Sequence, residues 1–172
     1  MEKGYIQVYT GNGKGKTTAA LGITLRCLCA GNKVFFGQFM KGQDYSELKA
    51  KEVFCGQLDM EQFGDVEFVK GKPTEKDIAM AKKGLARMEE ALSSGQYDMV
   101  VFDEINTSLF FHLVEVEDVL AVLDKKPEKT EVILTGRYAP QEIQDRADLV
   151  TEMKEIKHYF NAGVMARTGI EN

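Results

Sequence analysis

The sequence predicts an α/β fold: a mostly parallel sheet with helices on both faces, in a single domain over residues 1–172. Three observations carry this expectation. Short β-branched and aromatic runs alternate with stretches in which apolar residues recur every three or four positions, the pattern of successive βαβ units. A glycine-rich loop joins the first strand-like run to the first helical one. The 172 residues suit one compact domain, at about 100–200 residues each.

Taken in order, Tyr5 to Tyr9 (YIQVY) reads as a strand, and TTAALGITLRCLCA, beyond the glycines, as a helix that Gly31 and Asn32 terminate. KVFFGQFM is a second strand, because Val34, Phe35, Phe36 and Phe39 crowd a run too short for a helix. Residues 42–72 read as a loop region on the active-site side, interrupted by one strand-like stretch, VFCGQL. Thr74, ahead of Glu75 and Asp77, caps the longest helix, whose Ile78, Ala81, Leu85, Met88 and Leu92 recur at helical spacing until Gly95. DMVVFDE is a hydrophobic strand ending in two carboxylates, VEVEDVLAVLDKK an amphipathic helix stopped by Pro127, and TEVILTG another strand. Pro140 opens a short helix, residues 149–153 form a last strand, and the tail KHYFNAGVMARTGIEN is polar, aromatic and irregular.

Lys and Arg total 22 against 27 Asp and Glu, a net charge of −5, so general attraction to nucleic acid or anionic lipid is disfavoured. Every apolar run falls short of the roughly 20 residues that cross a bilayer, so the expectation is a cytoplasmic protein with no membrane or nucleic-acid partner. Cys27, Cys29 and Cys55 are odd in number and lack zinc-ligand spacing, and they read as free, buried thiols.

The segment TGNGKGKTT, Thr10 to Thr18, lies where a strand passes into a helix, the setting of a Walker A phosphate loop. Gly11, Gly13 and Gly15 let backbone N–H groups, with those of Asn12 and Lys14, approach a phosphate, and the helix N-terminus adds partial positive charge. Lys16 supplies a compact cation, Thr17 a hydroxyl suited to Mg²⁺, and Thr18 a second hydroxyl nearby. Where the common form of this loop begins with glycine, this one has Thr10. The alternative, a glycine-rich turn with solvated lysines, explains neither the strand before it nor the helix after it.

Asp103 and Glu104 follow Met99 to Phe102, which puts two carboxylates at the end of a buried strand beside the loop, as in a Walker B segment. Asp103 is the candidate to hold a metal-bound water or the loop, and Glu104 the candidate to reach Mg²⁺ or orient a nucleophile; the sequence leaves the division of roles open. Arg137, just past VILTG, and Lys41, just past the second strand, share the same sheet edge, and each reads equally as a phosphate ligand or a surface cation. His112 and His158 read as packing or interface residues rather than bases, and no Ser-His-Asp or Cys-His arrangement offers nucleophilic catalysis.

TGNGKGKTTAA with Arg26 ten residues past Lys16, then QFMKG, VVFDEIN, ILTGR and the closing KHYFNAGVMARTGIE, resembles the corrinoid adenosyltransferases of the CobA/CobO/BtuR type over nearly the whole chain. The resemblance implies a homodimeric, RecA-like P-loop NTPase fold and transfer of the 5′-deoxyadenosyl group of ATP to the cobalt(I) of a corrinoid, with release of triphosphate. It implies ATP lying in the loop with reversed polarity, contacts from Arg26 and Arg137, magnesium held by Thr17 and Glu104, and a flavoprotein as a possible electron donor. Two departures stand out. Well-known members carry Gly-Phe-Thr-Trp before the long helix, whose aromatics displace the lower cobalt ligand, whereas this chain has no Trp and reads MEQFGDVEF, with Phe63 as the replacement to expect. Some members also have an N-terminal helical extension, where here four residues precede the first strand. Two other readings compete: a P-loop small-molecule kinase or NTPase, which would release ADP, and a nucleotide-dependent corrinoid-binding module without turnover.

Overall fold

The computed structural model describes residues 2–65 and 71–172. Six strands, β1 (Ile6–Thr10), β2 (Val34–Phe39), β3 (Leu58–Phe63), β4 (Met99–Asp103), β5 (Glu131–Thr135) and β6 (Leu149–Glu152), form one sheet in the order β3-β2-β4-β5-β1-β6. Every neighbouring pair is parallel. Parallel strands need crossovers, and among the described residues six α-helices serve or flank them: α1 (Lys16–Cys29), α2 (Ala50–Val53), α3 (Glu75–Ser93), α4 (Ile105–Phe110), α5 (Val116–Leu123) and α6 (Gln141–Arg146).

The central strands β2, β4 and β5 are buried at every residue, which explains their nearly unbroken apolar sequences. The alternation of a strand divides these residues between two cores. Phe35, Phe39, Val100 and Phe102 face one side with Leu85, Met88 and Leu92 of α3. Val34, Phe36, Met99 and Val101 face the other with Ala20, Cys27 and Leu28 of α1. Each fully buried side chain of this size contributes about 1.5–3 kcal/mol of transfer free energy. Helix α3 begins with a capping box: the Thr74 hydroxyl accepts from the Asp77 N–H while Asp77 accepts from the Thr74 N–H.

Two expectations are corrected. VFCGQL is not a strand: Val53 ends α2, Gly56 turns at φ 79°, and the strand starts at Leu58. The cause is local, since the left-handed Gly56 lets the chain reverse there, and Val53 ahead of it closes a helix. Of the three free thiols only Cys27 is buried; Cys29 and Cys55 are exposed.

All strands point the same way, so their C-terminal ends share one edge. That edge gathers the glycine loop after β1, Met40 and Lys41 after β2, Gly64 after β3, Asp103 and Glu104 at the end of β4, Gly136 and Arg137 after β5, and Met153 after β6.

Candidate functional site

At this edge lies a cleft of about 500 Å³ bordered by the loop residues Lys14 to Thr18, by Lys41, Tyr45 and Glu47, by Glu104 and Arg137, and by His158 and the tail residues Gly169 to Asn172. The sequence-predicted cations Lys14, Lys16 and Arg137 and the carboxylate Glu104 therefore meet on one surface.

Edge strand β6 fixes the loop. The Gly13 N–H donates to the Met153 carbonyl at 2.7 Å, and the Asn12 side-chain oxygen accepts from the Glu155 N–H at 3.2 Å. Gly13 is required by this approach, because a Cβ there would stand 2.7 Å from the Met153 carbonyl oxygen. Gly13→Ala is expected to push the loop off β6 and to weaken nucleotide binding more than it lowers Tm, measured by calorimetric titration and thermal melting; unchanged affinity would show that the loop tolerates the displacement.

Lys16 opens α1 directly after Gly15, and its ammonium donates to the Gly13 carbonyl at 2.6 Å. The residue is 6% exposed, and burial first, with Arg137 adding to it, lowers its pKa, opposed by Glu104 and Asp103. It is a desolvated cation at the end of the glycine loop and the start of α1, which favours an incoming polyanion.

Asp103 is fully buried. Its Oδ1 accepts from the Thr17 hydroxyl at 2.8 Å and the Thr135 hydroxyl at 2.7 Å, and its Oδ2 from Lys41 at 2.8 Å. Asp103 does not border the cleft, and both of its oxygens accept from protein donors, one of them the hydroxyl of Thr17 at the end of the loop. Glu104 differs because its backbone is left-handed, at φ 61°, which turns its side chain out of the strand's alternation and onto the cleft. Its N–H donates to the Thr135 hydroxyl at 2.9 Å, and its Oε2 accepts from the Thr107 hydroxyl. Burial, then the neighbouring Asp103, raises the Glu104 pKa, so this carboxylate is held where a cation is favoured.

Three further placements depart from expectation. Arg26 is exposed in the last turn of α1 and, ten residues beyond Lys16 at about 1.5 Å per residue, stands roughly 15 Å along the helix from the loop. It does not border the cleft. Phe63 ends β3 rather than lying in a loop; its ring packs edge-on against Phe39 at 5.4 Å and under Gly84 of α3. The rest of the MEQFGDVEF stretch, residues 66–68, lies outside the described residues. His158 borders the cleft, although its Nδ1 accepts from the Phe160 N–H at 3.0 Å. His112, just beyond α4, is exposed and away from the cleft.

Lys41 and the tail are the site residues that sequence patterns left ambiguous or missed. Lys14 donates to the Ile170 carbonyl at 3.4 Å and lies 3.9 Å from the Glu171 carboxylate, and the Ser46 hydroxyl donates to the Asn172 carbonyl at 3.0 Å. Glu171 is itself held by the Arg167 guanidinium and the Tyr159 hydroxyl, which push its pKa down to about 2. The tail thus crosses the cleft mouth from the loop to the segment after β2. The sequence signal for it was its density of aromatic and charged residues, which irregular spacing hid from periodicity.

The family model for ATP:corrinoid adenosyltransferase BtuR/CobO/CobP matches residues 2–172. The chain is 37% identical over 180 residues to a corrinoid adenosyltransferase of Sinorhizobium sp, covering 99% of this chain and 81% of that protein. It is 34% identical over 171 residues to the corrinoid adenosyltransferase of Escherichia coli K12, covering 99% and 86%, and 35% identical to corrinoid adenosyltransferase CobA of Salmonella typhimurium with the same coverage. Among solved structures, flagellar accessory protein FlaH from Methanocaldococcus jannaschii superposes with a TM-score of 0.60 at 16% identity, over 88% of this chain and 72% of that one. That likeness concerns the fold alone, which is of the RecA-like P-loop type.

Proposed function

This chain belongs to the ATP:corrinoid adenosyltransferase family, and we propose that the cleft beside Lys16 is where it holds ATP, with the triphosphate on the loop and C5′ turned toward the corrinoid. The activity is that of a corrinoid adenosyltransferase: the 5′-deoxyadenosyl group of ATP passes to cobalt(I) and triphosphate is released. In that reaction the cobalt electron pair forms the Co–C5′ bond, the C5′–O bond breaks, and its electron pair leaves on the triphosphate oxygen. No proton needs to be removed from the nucleophile, so no general base is required.

What the protein must supply is stabilisation of the leaving charge. The observation that carries the reading is the convergence of the loop, Lys16, Glu104 and Arg137 on one cleft. Lys16 and the loop N–H groups neutralise the triphosphate, and Arg137 meets it from the β5 side. The donor set fits Mg²⁺, a hard cation that takes oxygen ligands: Thr17 offers a hydroxyl, and Glu104 an Oε1 without a donor among the described residues. Bound there, the ion would add Lewis-acid stabilisation of the leaving oxygen. The family resemblance further supports a cytoplasmic homodimer supplied with reduced corrinoid by a flavoprotein; no helix among the described residues is long and apolar enough to cross a membrane.

One assay tests the reading: incubation with ATP, Mg²⁺ and chemically reduced cobalamin should give the adenosylated spectrum and triphosphate. ADP would indicate the kinase or NTPase alternative, and binding without turnover the corrinoid-binding module. Glu104→Gln is expected to raise the Mg²⁺ concentration needed for half-maximal activity by at least the roughly 10–100-fold typical of losing even an outer partner of a metal ligand, while shifting Tm little, since the substitution keeps the side chain's size and its place at the cleft. A collapse in Tm with an intact metal requirement would make Glu104 structural.

A further inference from the structure

We propose that Lys41 is a positioning residue of the nucleotide site, acting through Asp103 to hold the Thr17 hydroxyl at the head of α1. This rests on the nucleotide reading above and deepens it.

The backbone delivers Lys41 at a cost. Met40, between β2 and Lys41, is left-handed at φ 57°, a conformation unfavourable for a side-chain-bearing residue that persists only where the surroundings over-determine it. They do so here. Gly64 lies so close that a Cβ on it would stand 2.4 Å from the Lys41 nitrogen and 2.5 Å from the Met40 carbonyl carbon. A Cβ on Gly42 would stand 2.4 Å from the Gly64 carbonyl oxygen. The turns after β2 and β3 are thus pressed backbone to backbone, and Lys41 emerges over the end of β4 rather than toward solvent.

Its side chain is 13% exposed. The ammonium lies 2.8 Å from Asp103 Oδ2, 3.8 Å from Glu47 Oε1 and 5.1 Å from the centre of the Tyr45 ring. Burial opposes its charge, but the Asp103 carboxylate, by attraction and by its hydrogen bond, outweighs that and raises the pKa, so Lys41 stays a cation.

The two oxygens of Asp103 divide their work. Oδ1 accepts the hydroxyls of Thr17 and Thr135, and Oδ2 accepts Lys41. A fully buried carboxylate compensated only by two hydroxyls would be poorly solvated, and it would rotate toward other donors. Lys41 supplies the compensating charge and occupies the second oxygen, so the first stays aimed at Thr17. With its proton committed to Oδ1, the Thr17 oxygen keeps its lone pairs for the cleft.

Lys41 is fixed in turn from its far side. Glu47 Oε1 accepts from the Gln38 side-chain amide at 3.0 Å, and the Gln38 side-chain oxygen accepts from Gln62 at 3.1 Å. Gln38 is fully buried. An unbroken polar chain therefore runs from Gln62 on β3 through Gln38, Glu47, Lys41 and Asp103 to Thr17 on α1. Among the described residues Lys16, by contrast, bonds the Gly13 carbonyl and no carboxylate, which suits it to phosphate.

The test is a binding cycle on the intact protein: Lys41→Met, Asp103→Asn and the double variant, each titrated calorimetrically with ATP plus Mg²⁺ and with ATP plus EDTA. Lys41→Met should weaken Mg·ATP by about 10–100-fold, the usual effect of losing an outlying partner of a ligand, and should leave metal-free ATP binding close to wild type. The double variant should bind Mg·ATP no more weakly than Asp103→Asn alone, because both substitutions break the same path. If the effects multiply, or if metal-free ATP is weakened as much as Mg·ATP, Lys41 touches the triphosphate itself and the proposal fails. It also fails if Tm drops while Mg·ATP affinity holds. Should Lys41→Met not fold, Lys41→Gln takes its place, keeping a donor for Asp103 without the charge. Wild-type protein that binds no ATP would overturn the nucleotide reading and this proposal with it.

Discussion

Lys16→Ala is expected to lower ATP affinity by roughly one to two orders of magnitude, which corresponds to losing a charge-assisted contact of about 1.5–3 kcal/mol. The effect on folding should be close to nil. In the folded protein Lys16 is 6% exposed and, among the described residues, its ammonium donates to the Gly13 carbonyl alone, so its burial cost and that hydrogen bond nearly offset each other. The position is the first residue of α1, where alanine is an excellent helix former. Within about 0.5 kcal/mol either way, Tm should move by no more than roughly 2 °C. Calorimetric titration with ATP and a thermal melt make the comparison. Near wild-type affinity would remove Lys16 from the triphosphate site, and a large fall in Tm would mean that its contact with the loop is structural.

The parts of the molecule legible in the sequence are those dictated by short-range physics. β2, β4 and β5 announce themselves because burial on both faces demands unbroken apolar runs such as VFF and MVVF. α3 does so through the pairing of Thr74 with Asp77 and its regular apolar stripe. The phosphate loop is legible because glycines, a lysine and hydroxyls between strand and helix have few other uses. β3 is hard to place from sequence because it lies at the sheet edge and reads LDMEQF, with only Leu58 and Met60 buried. VFCGQL, upstream, has the stronger β composition, and the left-handed Gly56 decides against it.

The site shows the same division more sharply. Asp103 and Glu104 are adjacent carboxylates with identical sequence credentials, and one backbone dihedral separates their roles: the strand carries Asp103 inward to Thr17, Thr135 and Lys41, while the left-handed Glu104 faces the cleft. Lys41 depends likewise on a left-handed Met40, held by contacts with Gly64 that lie twenty-odd residues away in sequence. The tail reaches the loop through Glu171 and Lys14, a pairing across most of the chain that no local pattern encodes. Arg26 is the converse case, its place in the sequence motif being preserved while the straight run of α1 carries it away from the loop.

Phe63→Ala is expected to cost about 3 kcal/mol of stability, at the low end for a packed phenylalanine because the residue is half-buried. At roughly 2–4 °C per kcal/mol for a chain of this size, Tm should fall by about 6–12 °C. The packing explains the figure. The ring meets Phe39 edge-on at 5.4 Å, and a Cβ on Gly84 of α3 would stand 2.5 Å from it, so the helix backbone rests directly on the ring. Truncation opens a void between β2, β3 and α3, bordered by Phe39, Gly37, Met88 and Gly84. The competing role, an aromatic wedge that displaces the lower ligand of cobalt, makes a different forecast. A wedge would lose activity with cobalamin reduced by a flavoprotein and keep it with chemically prepared cobalt(I), where no ligand needs displacing, and its removal would leave Tm nearly unchanged. A residue clamped between two strands and a helix should instead lose activity equally in both assays, and only as far as the folded fraction falls. Measuring both assays below the lowered Tm separates the two: selective loss with the flavoprotein would return Phe63 to the corrinoid, and parallel behaviour would leave it as the support on which α3 sits.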